Sequence, residues 1–151
     1  MNEIMAYLSM TRLKLKHPWY LLPYLIQSYR IIQQIRASEG FICGQVLTEP
    51  NLCMWTMTWW ESSAASRAFF RQGNHRSVMP VLDRWSVEAA GMNQQVDCIH
   101  SYTWAEAAQM ISKDGFFPPL STPSPNQRQQ YIPPPRFPWA TVPFRQISHD
   151  P

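Results

Sequence analysis

Residues 52–79 read LCMWTMTWWESSAASRAFFRQGNHRSVM, and the first half of that stretch decides the fold. From Leu52 to Trp60 the pattern has period two. Trp55, Met57 and Trp59 fall on one side of a strand, and Thr56, Thr58 and Trp60 fall on the other. Each Trp carries roughly 150–250 Å² of surface, so a sheet with indoles on both sides must cover both faces. Glu61-Ser62-Ser63 ends the strand, and Ser62 or Ser63 can cap a helix reaching about Arg71. Gly73-Asn74 breaks that helix. His75 then opens a stripe with Val78, Met79, Leu82 and Trp85, in which Pro80 forces a kink or a delayed start.

Working outward, Met5 to Leu15 also alternates and reads as a strand. His17-Pro18 ends it, and Pro23 suits the first turn of a helix. Leu22, Leu25, Ile26, Tyr29, Ile32 and Arg36 follow helical spacing, with Gly40 as the expected C-terminal cap. Gln27, Arg30, Gln33 and Gln34 interrupt this segment, which makes it an amphipathic helix rather than a membrane span. Phe41 to Thr48 is a second strand, and Glu49-Pro50-Asn51 turns the chain into the Trp-rich one. Val87 to Met92 is the expected fourth strand, with Asn93 to Ile99 as its competitor. Trp104 to Lys113 reads as a short Ala-rich helix closed by Asp114-Gly115.

After Phe116 the composition changes, and ten of the fourteen prolines lie there. Residues 116–151 are therefore set apart as a proline-rich extended tail and residues 1–115 as the folded domain. Pro133-Pro134-Pro135 favours an extended backbone. Tyr131, Phe137, Trp139 and Phe144 are more aromatics than a solvated linker carries. The tail either packs on its own domain or a protein partner, or it runs free.

The charge is weakly positive, +3, and the Lys and Arg residues are spread without a dense block. That speaks against nucleic acid and gives little ground for an anionic membrane partner. Cys43, Cys53 and Cys98 are odd in number and lack C-x-x-C spacing, so neither a disulfide framework nor a zinc site is expected. They read as reduced thiols in a cytoplasmic protein without a signal peptide. No P-loop and no G-x-G-x-x-G fingerprint is present.

The order strand, helix, strand, strand, helix, strand gives an α+β, ferredoxin-like four-stranded antiparallel sheet with helices on one face. The other face then needs a cover, most simply a second copy, so the expected assembly is a homodimeric α+β barrel.

Residues 5 to about 113 resemble the bacterial dimeric α+β barrel proteins near the spheroidene monooxygenase-like and antibiotic-biosynthesis-monooxygenase-like families. The pieces that carry the resemblance run in order: Arg12-Leu13-Lys14-Leu15, Leu22-Pro23, Gly40-Phe41 with Gly44, and Trp55 through Glu61. Phe69 with Gly73-Asn74-His75-Arg76, Met79-Pro80, Trp85 with Glu88-Ala89, and Trp104-Ala105-Glu106-Ala107 complete the series. Where relatives carry a His and an aromatic residue at the end of strand four, this chain reads Gly91-Met92-Asn93. The resemblance implies the fold and a monooxygenase-like activity. The wider superfamily includes cofactor-free oxygenases of polycyclic substrates, haem enzymes and members without known catalysis.

The site residues follow from the same stretch. His75 is open to three readings: a packed histidine with one nitrogen on a backbone group, a proton shuttle to a bound substrate, or a haem ligand. Arg76 pairs with Glu61 or with a ligand carboxylate. Trp55, Met57 and Trp59 are either core or a stacking surface for a flat apolar ligand, and Tyr29 adds a hydroxyl. The Cys98/His100 pair is too small for a metal site. The leading expectation is a cavity between helices and sheet holding an apolar, conjugated small molecule. The alternative is a non-catalytic binding or interaction module that uses the aromatic tail.

Overall fold

The structure is a computed structural model, and it describes residues 5–72, 81–97, 99 and 102–147. Five antiparallel strands are β1 Ala6–Leu15, β2 Phe41–Thr48, β3 Cys53–Trp60, β4 Ser86–Val96 and β5 Thr141–Arg145. They lie in the order β4-β1-β3-β2-β5. The first four have the expected ferredoxin-like arrangement, with α1 Leu21–Arg36 between β1 and β2 and α2 Ser63–Phe70 after β3. β4 contains the expected Val87–Met92 and runs through only the first part of its competitor, ending at Val96.

Local chemistry sets the element ends. Ser62 caps α2 by accepting a hydrogen bond from the Ala65 N–H at 3.1 Å. Thr103 and Glu106 form a reciprocal capping box at the start of α3 Trp104–Asp114. Gly40 sits at φ +80 between α1 and β2, a left-handed conformation that side-chain-bearing residues resist.

Two expectations need correction. The sheet has five strands rather than four, because the proline-rich segment supplies β5 along the free edge of β2. Helices also cover both faces rather than one. α1 and α2 lie over Tyr7, Leu13, Leu15, Met54 and Trp60. α3 lies over the opposite face, where Trp104, Ala107, Ala108 and Ile111 pack on Leu8, Met10, Trp55, Met57 and Trp59. That is the face expected to meet a second copy. A dimer built through it would have to displace α3.

The segment after Phe116 forms a strap that reaches from one edge of the sheet to the other. Phe116 bridges Gly91 on β4, and the Ser124 N–H donates to the Val87 carbonyl at 2.9 Å. In the one-turn helix α4 Pro125–Arg128, Gln127 uses its side-chain amide as a short strand. It accepts from the Ala89 N–H at 2.9 Å and donates to the Ala89 carbonyl at 3.0 Å. Ile132 is buried in the α3 layer. The Arg136 N–H then reaches Glu49 Oε1 at 3.0 Å, and β5 pairs with β2. Gly44 stands opposite Phe144, and a Cβ there would lie 2.5 Å from the Phe144 ring. Only hydrogen in place of a side chain lets that ring settle on Phe41, 5.5 Å away and nearly parallel. Pro143 in β5 has no N–H to offer a further strand, which blunts the new edge.

Candidate functional site

Beneath α1 the sheet carries small residues. Ser9 and Thr11 on β1 stand beside Thr58 and Thr56 on β3, and Gly91 and Asn93 follow on β4. These side chains are too short to meet the helix, and Ile35 is the one α1 residue fully buried. The gap is an open cavity of about 530 Å³. Tyr24, Ser28, Ile31 and Ile35 form its roof, and Phe69 and Phe70 of α2 close one end. Leu82 and Trp85, within a helical stretch at 81–85, line it from the other side.

The hydroxyls on the floor are partly committed. Thr58 Oγ1 accepts from Trp60 Nε1 at 3.0 Å and makes a long 3.4 Å bond to the Ser9 carbonyl. In the roof, burial pushes the Tyr24 hydroxyl pKa up, and its hydrogen bond with Ser28 pulls it partly back. Tyr24 is thus a neutral phenol able to donate a hydrogen bond.

The residues singled out in the sequence divide between two layers. Tyr29 lines the mouth of the cavity and is 65% exposed. Trp55 borders the cavity only from its strand. Its indole is committed to the opposite layer, where Nε1 donates to Glu49 at 2.8 Å and the ring centroid lies 5.9 Å from that of Trp104. Met57 and Trp59 are buried against α3 and do not line the cavity. His75, Arg76, Cys98, His100 and His149 lie outside the described residues. His17 stacks on Trp19 at 4.2 Å. Tyr24, Ser28, Thr11, Thr56 and Asn93 were missed as site residues. For Thr11, Thr56 and Asn93 the signal was present as the small, polar half of the strand alternation; Tyr24 and Ser28 lie on α1 and left no such signal.

The α1 stripe also turns out differently. Leu22, Leu25, Ile26 and Tyr29 belong to the apolar stripe read from helical spacing, and they are exposed. The helix instead turns Tyr24, Ser28, Ile31 and Ile35 inward. α1 is apolar on two sides, so periodicity alone leaves its rotation open.

On the packed face a second polar group is buried and ion-paired, with Arg12 Nε left without a hydrogen-bond partner. Arg12 and Glu88 form a buried ion pair at 2.5 Å, and Glu88 also accepts from Ser124 Oγ at 2.6 Å. The guanidinium sits 5.2 Å from the Trp55 ring and 3.1 Å from Cys53 Sγ. Burial is the largest single influence on Glu88 and raises its pKa. The hydrogen bonds from Ser124 and Arg12, with the Arg12 charge, together outweigh it and hold the carboxyl below its ordinary value. Cys53 is pushed up to about 11, first by burial and against the pull of Arg12, so it stays a thiol. This cluster ties β1, β3, β4 and the strap together and has no open approach. Among the described residues, no group of three or more His, Cys, Asp or Glu could hold a metal ion. None of the described helices is long and apolar enough to cross a membrane.

No protein-family model matches the chain, and no curated protein sequence matches it. Solved structures share its fold. A conserved protein of Methanosarcina mazei aligns with a TM-score of 0.54 at 15% identity, over 61% of this chain and 93% of its own. An antibiotic biosynthesis monooxygenase aligns with a TM-score of 0.53 at 10% identity, over 62% and 99%. SnoaB of Streptomyces nogalater, a cofactor-independent oxygenase, aligns with a TM-score of 0.50 at 12% identity, over 64% and 95%. At such identities the likeness is one of fold. It supports the α+β ferredoxin-like class and, at fold level, the monooxygenase-like group that the sequence resembles. Each comparison covers nearly all of the other protein and under two-thirds of this one.

Proposed function

We propose that this chain is a cytoplasmic, monooxygenase-like protein that binds and oxidises an apolar, conjugated small molecule in the cavity beneath α1. The observation that carries the proposal is the cavity itself. At about 530 Å³ it lies in the usual range for small-molecule sites. Its roof of Tyr24, Ile31 and Ile35 faces a floor of Ser9, Thr11, Thr56 and Asn93. A flat ring system fits between them, with polar substituents turned to the sheet. Such chemistry depends on placement and exclusion of water more than on a large set of catalytic groups. In this reading Tyr29 closes on the ligand at the mouth, Trp55 backs the floor, His75 handles the proton, and Arg76 meets a ligand carboxylate. Met57 and Trp59, first assigned to the ligand, support the floor from the other layer.

The fold shared with a cofactor-independent oxygenase supports a reaction without a bound cofactor. Haem is the other route. Among the described lining residues there is no His or Cys, so a haem would depend on His75. A second reading, a non-catalytic binding protein, is favoured by one observation. The described walls supply hydroxyls and amides but no His, Cys, Asp or Glu.

The test is titration with 2-naphthol, followed by quenching of tryptophan fluorescence, beside dioxygen uptake and an absorption spectrum with added haem. The oxygenase reading expects saturable binding, dioxygen uptake lost in His75→Ala, and binding weakened about tenfold or more by Thr56→Phe. Binding without uptake establishes the non-catalytic reading. No binding of naphthol and no Soret band on adding haem sinks both.

A further inference from the structure

The outer side of α1 leaves a run of large apolar side chains uncovered. Leu22, Leu25, Ile26 and Tyr29 stand at i, i+3, i+4 and i+7 on the exposed side of the helix. Trp19, in the 3-10 turn Pro18–Tyr20 that runs directly into α1, extends the stripe by one turn. Trp19 and Leu22 are 67% and 68% exposed. A stripe with Trp at one end, Tyr at the other and Leu and Ile between is costly in water.

Its charges are of one sign. Between Glu3 and Glu39 the chain has no Asp or Glu, while Lys16 precedes the stripe and Arg30 follows it. Asp83, whose carboxylate feels the Lys16 charge, is held by the Ser121 N–H and hydroxyl at 2.8 and 2.6 Å. A second copy docking helix to helix would bring bases together with no acid to meet them. The stripe also runs into the cavity mouth. Leu25 and Tyr29 belong to both, and Phe116, 70% exposed, stands on the cavity wall from the β4 side.

We propose that Trp19 and the outer face of α1 dock on the surface of an anionic lipid bilayer, so that the cavity takes its apolar ligand from the lipid. The second half rests on the reading of the cavity as a ligand site. Trp19 and Tyr29 sit at the headgroup level, where amphipathic rings are favoured. Leu22, Leu25 and Ile26 enter the acyl boundary, as in interfacial helices. Lys16 and Arg30 meet anionic headgroups. The scattered basic residues gave no such indication in the sequence. It arises because the exposed apolar stripe is flanked by Lys16, ahead of the turn into α1, and by Arg30 on α1 itself.

The experiment is co-sedimentation of the full chain with phosphatidylcholine vesicles, with and without phosphatidylserine. Binding is expected to the phosphatidylserine-containing vesicles and to fall with added salt. A Trp19→Ser, Leu22→Ser, Ile26→Ser triple variant should bind about tenfold more weakly or worse, and Arg30→Gln roughly fivefold more weakly. These residues are exposed and do not line the cavity, so 2-naphthol binding in vesicle-free buffer is expected to be unchanged. Binding to neither vesicle, equal binding to both, or wild-type binding by the triple variant overturns the proposal. So does a solution mass that halves in the triple variant, because the stripe is then an interface between copies. Vesicle binding without naphthol binding leaves the docking surface standing and removes the cavity reading alone.

Discussion

The two faces of one sheet are built from alternate residues of the same strands, and they behave in opposite ways. On the α3 side, Trp55, Met57 and Trp59 are buried, and Arg12 and Glu88 form a buried ion pair tied to Ser124. On the α1 side, Thr56, Thr58, Ser9 and Thr11 leave about 530 Å³ open. The difference lies in side-chain length at a fixed backbone spacing. Large residues reach the helix above them and small ones do not. The face with the more conspicuous residues is the structural one, and the plain face is the candidate site.

The comparison breaks most sharply at Arg12. Arg12→Ala leaves Glu88 buried without its partner and is expected to cost about 3–5 kcal/mol in urea denaturation. A loss under about 1 kcal/mol would mean that the packed face is less closed than its geometry indicates. Gly44→Ala comes next, because the new Cβ meets the Phe144 ring. A cost of about 1–3 kcal/mol is expected, and adding Phe144→Ala should return part of it. If the double variant shows no recovery, β5 is not what Gly44 accommodates.

A third contrast is in pH. Glu88 is held below its ordinary value in the folded protein, and below the value it takes unfolded. Its contribution to stability is therefore present above the unfolded value and lost as pH falls through the folded one. Glu88→Gln should flatten that acid limb, measured as the urea midpoint against pH. An unchanged slope would assign acid sensitivity to other carboxylates. The smallest effect is expected on the hollow face. Thr56→Val should change stability by less than about 0.5 kcal/mol, since the side chain borders space that need not be refilled. A cost like that of Gly44→Ala would show that the cavity wall is under packing constraint.

Much of this was legible in the sequence. Period-two alternation gave β1 and β3, the Glu49-Pro50-Asn51 turn gave the hairpin, and Ser62 and the Ala-rich run after Trp104 gave two helices close to their observed limits. The alternation also separated Trp55, Met57 and Trp59 from Thr56, Thr58 and Trp60. Two things were not legible. The rotation of α1 was hidden because the helix is apolar on two sides. The course of the strap was hidden because its hold on the domain comes from single polar contacts at long range, such as Gln127 on Ala89 and Arg136 on Glu49. Such contacts leave no period in the sequence.

By itself, then, the sequence determined the first three strands, their two-sidedness and the need to cover both faces, because those follow from local spacing and from the cost of leaving indoles in water. Only the tertiary structure decided what covers the second face and which face stays hollow. Those outcomes depend on which distant segment offers the sheet a complementary surface. Here α3 and the strap fill the side of the large residues, and α1 bridges the side of the small ones without filling it.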